Sequence, residues 1–235
     1  MNNLGDYFHE LMKRERKPKA NLAARWSRKE VRSITRSLRN AFARCHFERQ
    51  PLVVDSNVTG PAMGNRLATY FATQLDQQLR VFRIKNCAGQ GYPDRRLERV
   101  ANQRSYALEL KATRSFEPKS NHRVILTCSS SKLRRHFVAP INHLLVTVFH
   151  KKEGNNVWIQ NFRIDFLEPW TKVKVRLEAS VSQHLLAKSP HSSFWGMKKE
   201  RNALPKPTQL CSRNGGAARV SRPKRTVADA KLPSI

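Results

Sequence analysis

Hydrophobic residues recur at helical spacing in two segments of the first third of the chain. In the first segment Ser27 and Glu30 have the spacing of a capping box, and in the second Pro61 suits the first turn of a helix. The apolar positions that follow at steps of three or four residues are Val31, Ile34, Leu38, Phe42 and Cys45 in the first segment and Leu67, Phe71, Leu75 and Leu79 in the second. The pattern predicts two amphipathic helices, the first with arginines on its outer face.

Apolar positions that alternate or run together predict strands through the middle of the chain. The predicted strands cover residues 80–87, 105–112, 123–128, 143–151 and 156–167, after a short extended segment at 51–55. Residues 129–137 have the pattern of a loop followed by a short basic helix, and residues 174–188 are predicted to form a last helix. This order predicts an α/β (α+β) fold, in which helices flank a central mixed sheet of about five strands.

The apolar pattern also divides the chain into regions. It stops after Pro190, and the last forty or so residues are polar, basic and rich in Pro, Gly and Ser, which is typical of disorder. We predict a basic N-terminal helical arm in residues 1–50, a core in residues 51–195 and a basic, disordered tail in residues 196–235.

The charge of the chain indicates a polyanionic partner. Its 235 residues include 45 Lys and Arg against 17 Asp and Glu, for a formal charge of +28, which favours nucleic acid through counterion release. An anionic membrane is a weaker alternative, because there is no long apolar run and no lipidation motif. The four cysteines lack zinc-site spacing and the N-terminus lacks the apolar core of a signal peptide, so we expect a cytoplasmic protein with free thiols.

The segment "GYPDRRLERVANQRSYALELKAT", residues 91–113, contains two carboxylates and a lysine that a sheet could bring together. Residues two apart on a strand share a face, so Glu109 and Lys111 project together while Leu108 and Leu110 project toward a core. If residues 94–98 pair antiparallel with 106–110, Asp94 lies beside Glu109, and hard cations such as magnesium prefer such oxygen sites. The alternative is that Asp94 is a turn residue and that Glu109 and Lys111 form a cross-strand surface pair.

This arrangement, Pro93-Asp94 followed by Glu109-Leu110-Lys111, resembles the PD-(D/E)XK nuclease superfamily, the fold class of most type II restriction endonucleases. The resemblance implies a restriction-endonuclease-like fold that cleaves double-stranded DNA at specific sequences. It also implies Mg²⁺ bound by Asp94, Glu109 and the Leu110 carbonyl, and a Lys111 that acts on the attacking water or on the transition state. A homodimer is expected if the target is palindromic.

The chain departs from the family at one position. Many members carry a further acid on the first core helix, where this chain offers only Asp76, late in the helix, and has alanine at position 68. Asp55 is a second candidate for that role.

Other residues are predicted to contact the DNA backbone, and other functions remain open. The cations that follow the serine-rich loop favour phosphate contacts by a set of five residues, Ser129, Ser130, Lys132, Arg134 and Arg135. A repair, recombination or homing nuclease on the same core is one alternative to a restriction enzyme. A non-catalytic nucleic-acid-binding protein, such as a ribosomal or chromatin-associated one, is the other.

Overall fold

A computed structural model describes residues 3–89, 91–114, 125–127, 130–177, 183–188 and 192–196. Within these residues it contains the helices α1 (Leu4–Arg14), α2 (Arg28–Arg44), α3 (Gly60–Gln78) and α4 (Ser130–His136). The strands are β1 (Leu52–Val53), β2 (Phe82–Asn86), β3 (Arg95–Arg99), β4 (Ser105–Thr113), β5 (Ile125–Thr127), β6 (His143–Glu153), β7 (Asn156–Leu167), β8 (Lys172–Leu177), β9 (Gln183–Lys188) and β10 (Ser192–Gly196). The helices and strands together confirm the predicted α+β class.

The main sheet is mixed and has seven strands. Six of them follow the order β1-β7-β6-β4-β3-β2, and β10 pairs with β7 beside that path. The central pair, β4 and β6, is parallel, whereas the other pairs are antiparallel. Since α4 lies between β4 and β6 in the sequence, it belongs to the crossover that a parallel pair requires.

A second sheet corrects two sequence predictions. Strands β5, β9 and β8 form a separate antiparallel sheet of three strands. The helix predicted at residues 174–188 is therefore wrong, because this segment contributes β8 and β9. The strand predicted at residues 123–128 exists as β5, but it lies in this second sheet, and the expected single sheet of about five strands is replaced by two.

Helices α2 and α3 cover one face of the main sheet, where the larger apolar core lies. The predicted capping box is present, since the Ser27 hydroxyl accepts from the Glu30 amide and the Glu30 carboxylate accepts from the Ser27 amide. Pro61 stands in the first turn of α3, as predicted. Leu108 and Leu110 of β4 project into this core, where the helices contribute an apolar stripe that includes Ile34, Leu38, Leu67, Phe71 and Leu75.

The opposite face of the main sheet is covered by α1 and α4 around a second apolar cluster that includes Phe8 and Leu133. His143 of β6 fixes this layer. Its ring nitrogens contact the Tyr92 hydroxyl at 2.6 Å and the Leu22 carbonyl at 2.5 Å, and its ring stacks on Phe8. Burial lowers the pKa of His143 to about 4, so its role is structural.

The N-terminal region belongs to the same unit as the sheet. Residues 1–201 belong to one compact unit. Within it the Trp26 indole donates to the backbone carbonyls of His143 and Leu167. Residues of this N-terminal region thus pack against the sheet. The tail predicted from residue 196 lies, beyond Gly196, outside the described residues. Among the residues that are described, no helix combines the length and the apolar character that a bilayer span needs.

Candidate active site

The two predicted carboxylates meet at the end of β3. In the antiparallel pair β3–β4, Arg95 lies opposite Leu108, and one more step of the same register places Asp94 opposite Glu109. The predicted antiparallel pairing of these two segments is therefore confirmed, with residues 95–98 opposite residues 105–108. The predicted alternation on β4 is confirmed as well, since Leu108 and Leu110 point into the apolar core while Glu109 and Lys111 form an ion pair on the other face.

Glu109 is a buried carboxylate with one oxygen unsatisfied. The residue is only 3% exposed. The pKa of Glu109 lies above its ordinary value, chiefly because of burial and also because of the charge of Asp94. The charge of Lys111 and hydrogen bonds from Lys111 and the Asp94 backbone lower the pKa, but they do not offset burial. The ion pair uses Oε1, whereas Oε2 has no hydrogen-bond partner. This oxygen is buried without a compensating interaction.

Asp94 lies at the rim of a cleft with a volume of about 990 Å³. One wall of the cleft is the first half of α3, where Gly60, Gly64 and Ala68 face it at four-residue steps. A Cβ atom added at Gly60 or Gly64 would meet nothing within 4 Å, so these glycines leave open space. The other wall is the last part of β4, residues 110–113. Because β3 begins at Arg95, this part of β4 lacks a partner on the cleft side among the described residues.

Cations surround the two carboxylates. Arg95 lines the cleft beside Asp94 and donates to the Thr69 hydroxyl at 3.0 Å. Burial lowers the pKa of Arg95, while the charges of Asp94 and Glu109 raise it. Arg114 lines the far end of the cleft, and a shallower groove that starts there adds Lys151 and Lys152. The cleft thus offers positive charge along its length, with the Asp94 carboxylate at its rim.

His150 is a cleft residue that sequence reasoning did not assign to the site. It lies beside Arg114 and is only 4% exposed. Burial and the charge of Arg114 lower its pKa to about 4, although the Thr113 backbone raises it. The ring is therefore neutral near neutral pH. His150 is a single histidine within a strand, so no motif in the sequence indicates that it lies at the site. For Arg95 the only indication in the sequence is its position directly after Asp94.

The residues predicted to contact phosphate have different surroundings. Lys132 is buried, and its ammonium donates to the carbonyls of Gly89 at 2.7 Å and Gly91 at 2.5 Å. The Ser130 hydroxyl is also buried and donates to the Glu15 carboxylate. Both side chains therefore bind protein groups in this structure, and Lys132 secures the turn that leads into Asp94.

The remaining members of that predicted set lie elsewhere. Arg134 and Arg135 are exposed at the end of α4. Ser129 lies outside the described residues. The structure thus brings Asp94, Glu109, Leu110 and Lys111 together. Helix α4 contacts the turn that leads into Asp94.

The two candidates for a further acid do not line the cleft. The Asp76 carboxylate accepts from the Ile84 amide at 2.6 Å, which ties the end of α3 to β2. Asp55 is an exposed residue that pairs with Arg66 at 3.6 Å. Position 68, where a further acid was sought, does line the cleft, but it is an alanine. Within the described residues, no three His, Cys, Asp or Glu side chains group closely enough to hold a metal ion.

Comparisons with known proteins do not indicate a family for this chain. No family model matches the chain, and a search of curated proteins gave no significant match. The fold and the site define a strongly basic α+β protein with a carboxylate pair, a lysine and an arginine at the open edge of a central strand. This constellation is the basis for a functional proposal.

Proposed function

We propose that the protein is a magnesium-dependent endonuclease of double-stranded DNA, of the PD-(D/E)XK type and with the sequence specificity of a restriction enzyme. The observation that carries the proposal is the meeting of Asp94, Glu109 and Lys111 at the open edge of β4, where Asp94 and Lys111 line a cleft together with Arg95 and Arg114. A solvated turn residue and a surface ion pair would not need a buried carboxylate with an unused oxygen.

The order of elements supports the same proposal. Helix α3 precedes β2, β3 and β4, and the motif residues lie on the two neighbouring strands β3 and β4 or directly before them. A mixed sheet flanked by helices, with the motif on two neighbouring strands after a first helix, is the core that the resemblance implies. The basic charge of the chain favours a polyanionic substrate.

The residues present fit a magnesium ion. Oε2 of Glu109 lacks a partner, Asp94 is exposed opposite it, and Leu110 lines the cleft between Glu109 and Lys111. Magnesium is commonly bound by one or two protein carboxylates together with waters and substrate phosphate, so a third acidic side chain is not required. When bound, the ion would neutralise charge on the phosphodiester and favour ionisation of an attacking water.

Lys111 and Arg95 supply fixed positive charge beside the reacting group. The side chain of Lys111 is 33% exposed and contacts Glu109, so its ammonium lies where the buried carboxylate meets the cleft. From this position it can orient the water that adds across the P–O bond, or stabilise the charge on the phosphorus oxygens. Arg95 is oriented by Thr69 and can hold a neighbouring phosphate.

A second candidate function is non-catalytic binding of nucleic acid. It is favoured by one observation, the alanine at position 68 of α3, beside the cleft, which leaves the site without the further acid of many family members. In this alternative the Glu109–Lys111 pair is structural, and the cleft only binds a phosphate backbone. A less specific repair, recombination or homing nuclease would use the same residues as the restriction enzyme.

The test is cleavage of plasmid DNA by Lys111→Ala. We expect the single-turnover rate at saturating protein to fall by about 10²-fold or more, the usual scale for loss of a positioned acid–base or electrostatic group. Lys85→Ala is a matched control, because Lys85 also pairs with a strand glutamate, Glu98, but outside the cleft. The control should cleave at the rate of the wild type.

The products of the wild type separate the candidates. Discrete fragments with magnesium would identify a sequence-specific enzyme, and a smear would favour a less specific nuclease. Binding without any magnesium-dependent cleavage would establish the non-catalytic alternative. Equal cleavage rates for Lys111→Ala and the wild type would contradict the role of Lys111.

A further inference from the structure

The exposed face of α2 carries a concentration of positive charge that the cleft does not use. Arg28, Arg32 and Arg36 recur at four-residue steps, and Lys29 stands beside the first of them. All four side chains are exposed, and none of them pairs with a carboxylate among the described residues. The acid of this helix, Glu30, points inward and binds Tyr106 and Arg104.

The arrangement is unfavourable for the isolated protein. Like charges at a spacing of four residues repel one another on a helix surface. Arg28 and Lys29 also occupy the first turn, where the helix dipole already concentrates positive charge. A solvated face would be more stable with mixed charges, so the uniform sign indicates a partner that supplies negative charge.

The shape of this face suits a phosphate backbone. Ser33 and Ser37 lie between the cations and, with the exposed Val81, line a groove of about 600 Å³. The small serines give the groove its depth, and their hydroxyls add hydrogen-bond donors for phosphate oxygens. Val81 is the one large apolar residue in the lining, which is too little apolar surface for insertion into a lipid bilayer.

The groove and the cleft lie at opposite ends of one strand. Val81 directly precedes β2, whereas Asn86 at the end of β2 lines the cleft. Five residues of strand span roughly 13 Å between the first and last Cα atoms. A duplex carries about eight phosphates over this length of its axis, so one substrate can reach both places.

We infer that the exposed face of α2, formed by Arg28, Lys29, Arg32 and Arg36 around Ser33 and Ser37, binds the phosphate backbone of the duplex away from the point of cleavage. The inference rests on the proposed function only in taking double-stranded DNA as the partner, because the contact itself needs neither metal nor catalysis. Phosphate contacts of this kind set the position and orientation of a duplex and carry no sequence information of their own.

The test compares two charge-matched double variants of the full-length chain. Arg32→Gln/Arg36→Gln removes two cations from this face, and Lys13→Gln/Lys17→Gln removes two exposed cations at the end of α1 and just after it, in the layer on the other side of the sheet. Binding to a fluorescent duplex is measured over a range of salt concentrations in EDTA, so that no cleavage occurs. We expect the slope of log K against log salt to shrink by about two for the α2 variant and by less than one for the α1 variant.

The other outcomes are equally decisive. Equal losses for both variants would mean that total charge, and not this face, binds DNA, and unchanged binding by the α2 variant would also overturn the inference. Loss of binding to anionic lipid vesicles with unchanged DNA binding would assign the face to a membrane instead. Glutamine is a good helix former and the substitution relieves repulsion, so the melting temperature should not fall, and a lower one would point to a structural role.

The result stands apart from that for the proposed function. A chain that binds DNA through α2 but never cleaves it would retain this inference and refute the nuclease. A wild-type chain that binds no duplex at all would refute both.

Discussion

Core and cleft are built from the same two elements, α3 and β4, with opposite use of their side chains. The second half of α3 inserts Phe71 and Leu75 into the apolar core, and β4 adds Leu108 and Leu110. The first half of α3 presents Gly60, Gly64 and Ala68 to an open cleft, to which β4 adds Lys111, the ion-pair partner of the buried Glu109. One region fills space with apolar atoms, and the other leaves space and buries charge.

The difference shows that the core is built for stability, whereas the cleft region contains groups that lower it. Apolar burial stabilises the core without requiring any specific partner. The cleft region contains features that each oppose folding, namely a glycine inside the helix, Gly64, and a carboxylate with an unsatisfied oxygen. Departures of this kind from the most stable sequence are expected at functional sites, and each predicts a measurable difference between the two regions.

The largest expected effect lies in the core. Leu108 is 1% exposed and packs in the apolar layer under α2 and α3, so Leu108→Ala should lower the free energy of unfolding by about 2–5 kcal/mol. Urea denaturation measures the change. Val138, which is 91% exposed, provides the control, since Val138→Ala should change stability by less than about 0.5 kcal/mol. A loss below about 1 kcal/mol at Leu108 would contradict the assignment of this layer as the core.

Most of this core could be predicted from local patterns in the sequence. The capping box of α2, the alternation of β4 and the hairpin of β6 and β7 depend on residues close in the chain, and the structure confirms them. The meeting of Asp94 with Glu109 was predictable for the same reason, because a short turn fixes the register between their strands.

The features that were missed depend on distant contacts. The segment predicted as a last helix contributes strands instead, because β8 pairs with β9 and β9 pairs with β5, about sixty residues earlier in the chain. Such pairing overrides local helix preference. Lys132 belongs to a run of cations that favoured phosphate contacts, yet it turns inward to the Gly89 and Gly91 carbonyls some forty residues upstream. No local pattern distinguishes the cation that turns inward from its exposed neighbours.

A smaller effect, of opposite sign, is expected at the buried carboxylate of the cleft. The pKa of Glu109 in the folded chain lies above its ordinary value of 4.5, chiefly because of burial. As the pH rises from about 4.5 to that raised pKa, the unfolded chain releases a proton that the folded chain retains, so the folded state loses stability. Glu109→Gln cannot titrate and should escape this loss.

Urea denaturation at about pH 5 and about pH 8 measures this difference, and we expect the stability of Glu109→Gln relative to the wild type to increase with pH. Glu153→Gln is the control, because Glu153 is an exposed partner of Lys151 at 2.8 Å. A trend with pH that Glu109→Gln shows and Glu153→Gln does not would be specific to the buried carboxylate. If the stabilities of the wild type and of Glu109→Gln change in parallel with pH, burial does not raise the pKa of Glu109.

The smallest effect concerns the wall of the cleft. Glycine within a helix is less stable than alanine by about 0.5–1 kcal/mol, and a Cβ atom at Gly64 would meet nothing within 4 Å. Gly64→Ala should therefore stabilise the protein by this amount and leave cleavage intact, as thermal denaturation and a plasmid assay would measure.

Gly64→Leu tests what the open space at this position is for. It keeps the helical preference but places a branched side chain in the cleft, so we expect a melting temperature no lower than that of the wild type together with weaker cleavage. If Gly64→Ala destabilises the protein, the glycine serves the backbone and not the cleft. If Gly64→Leu cleaves as the wild type does, the substrate does not pass along this wall of α3. The combination of greater stability with lower activity would show that the cleft is kept open at a cost to the helix that forms it.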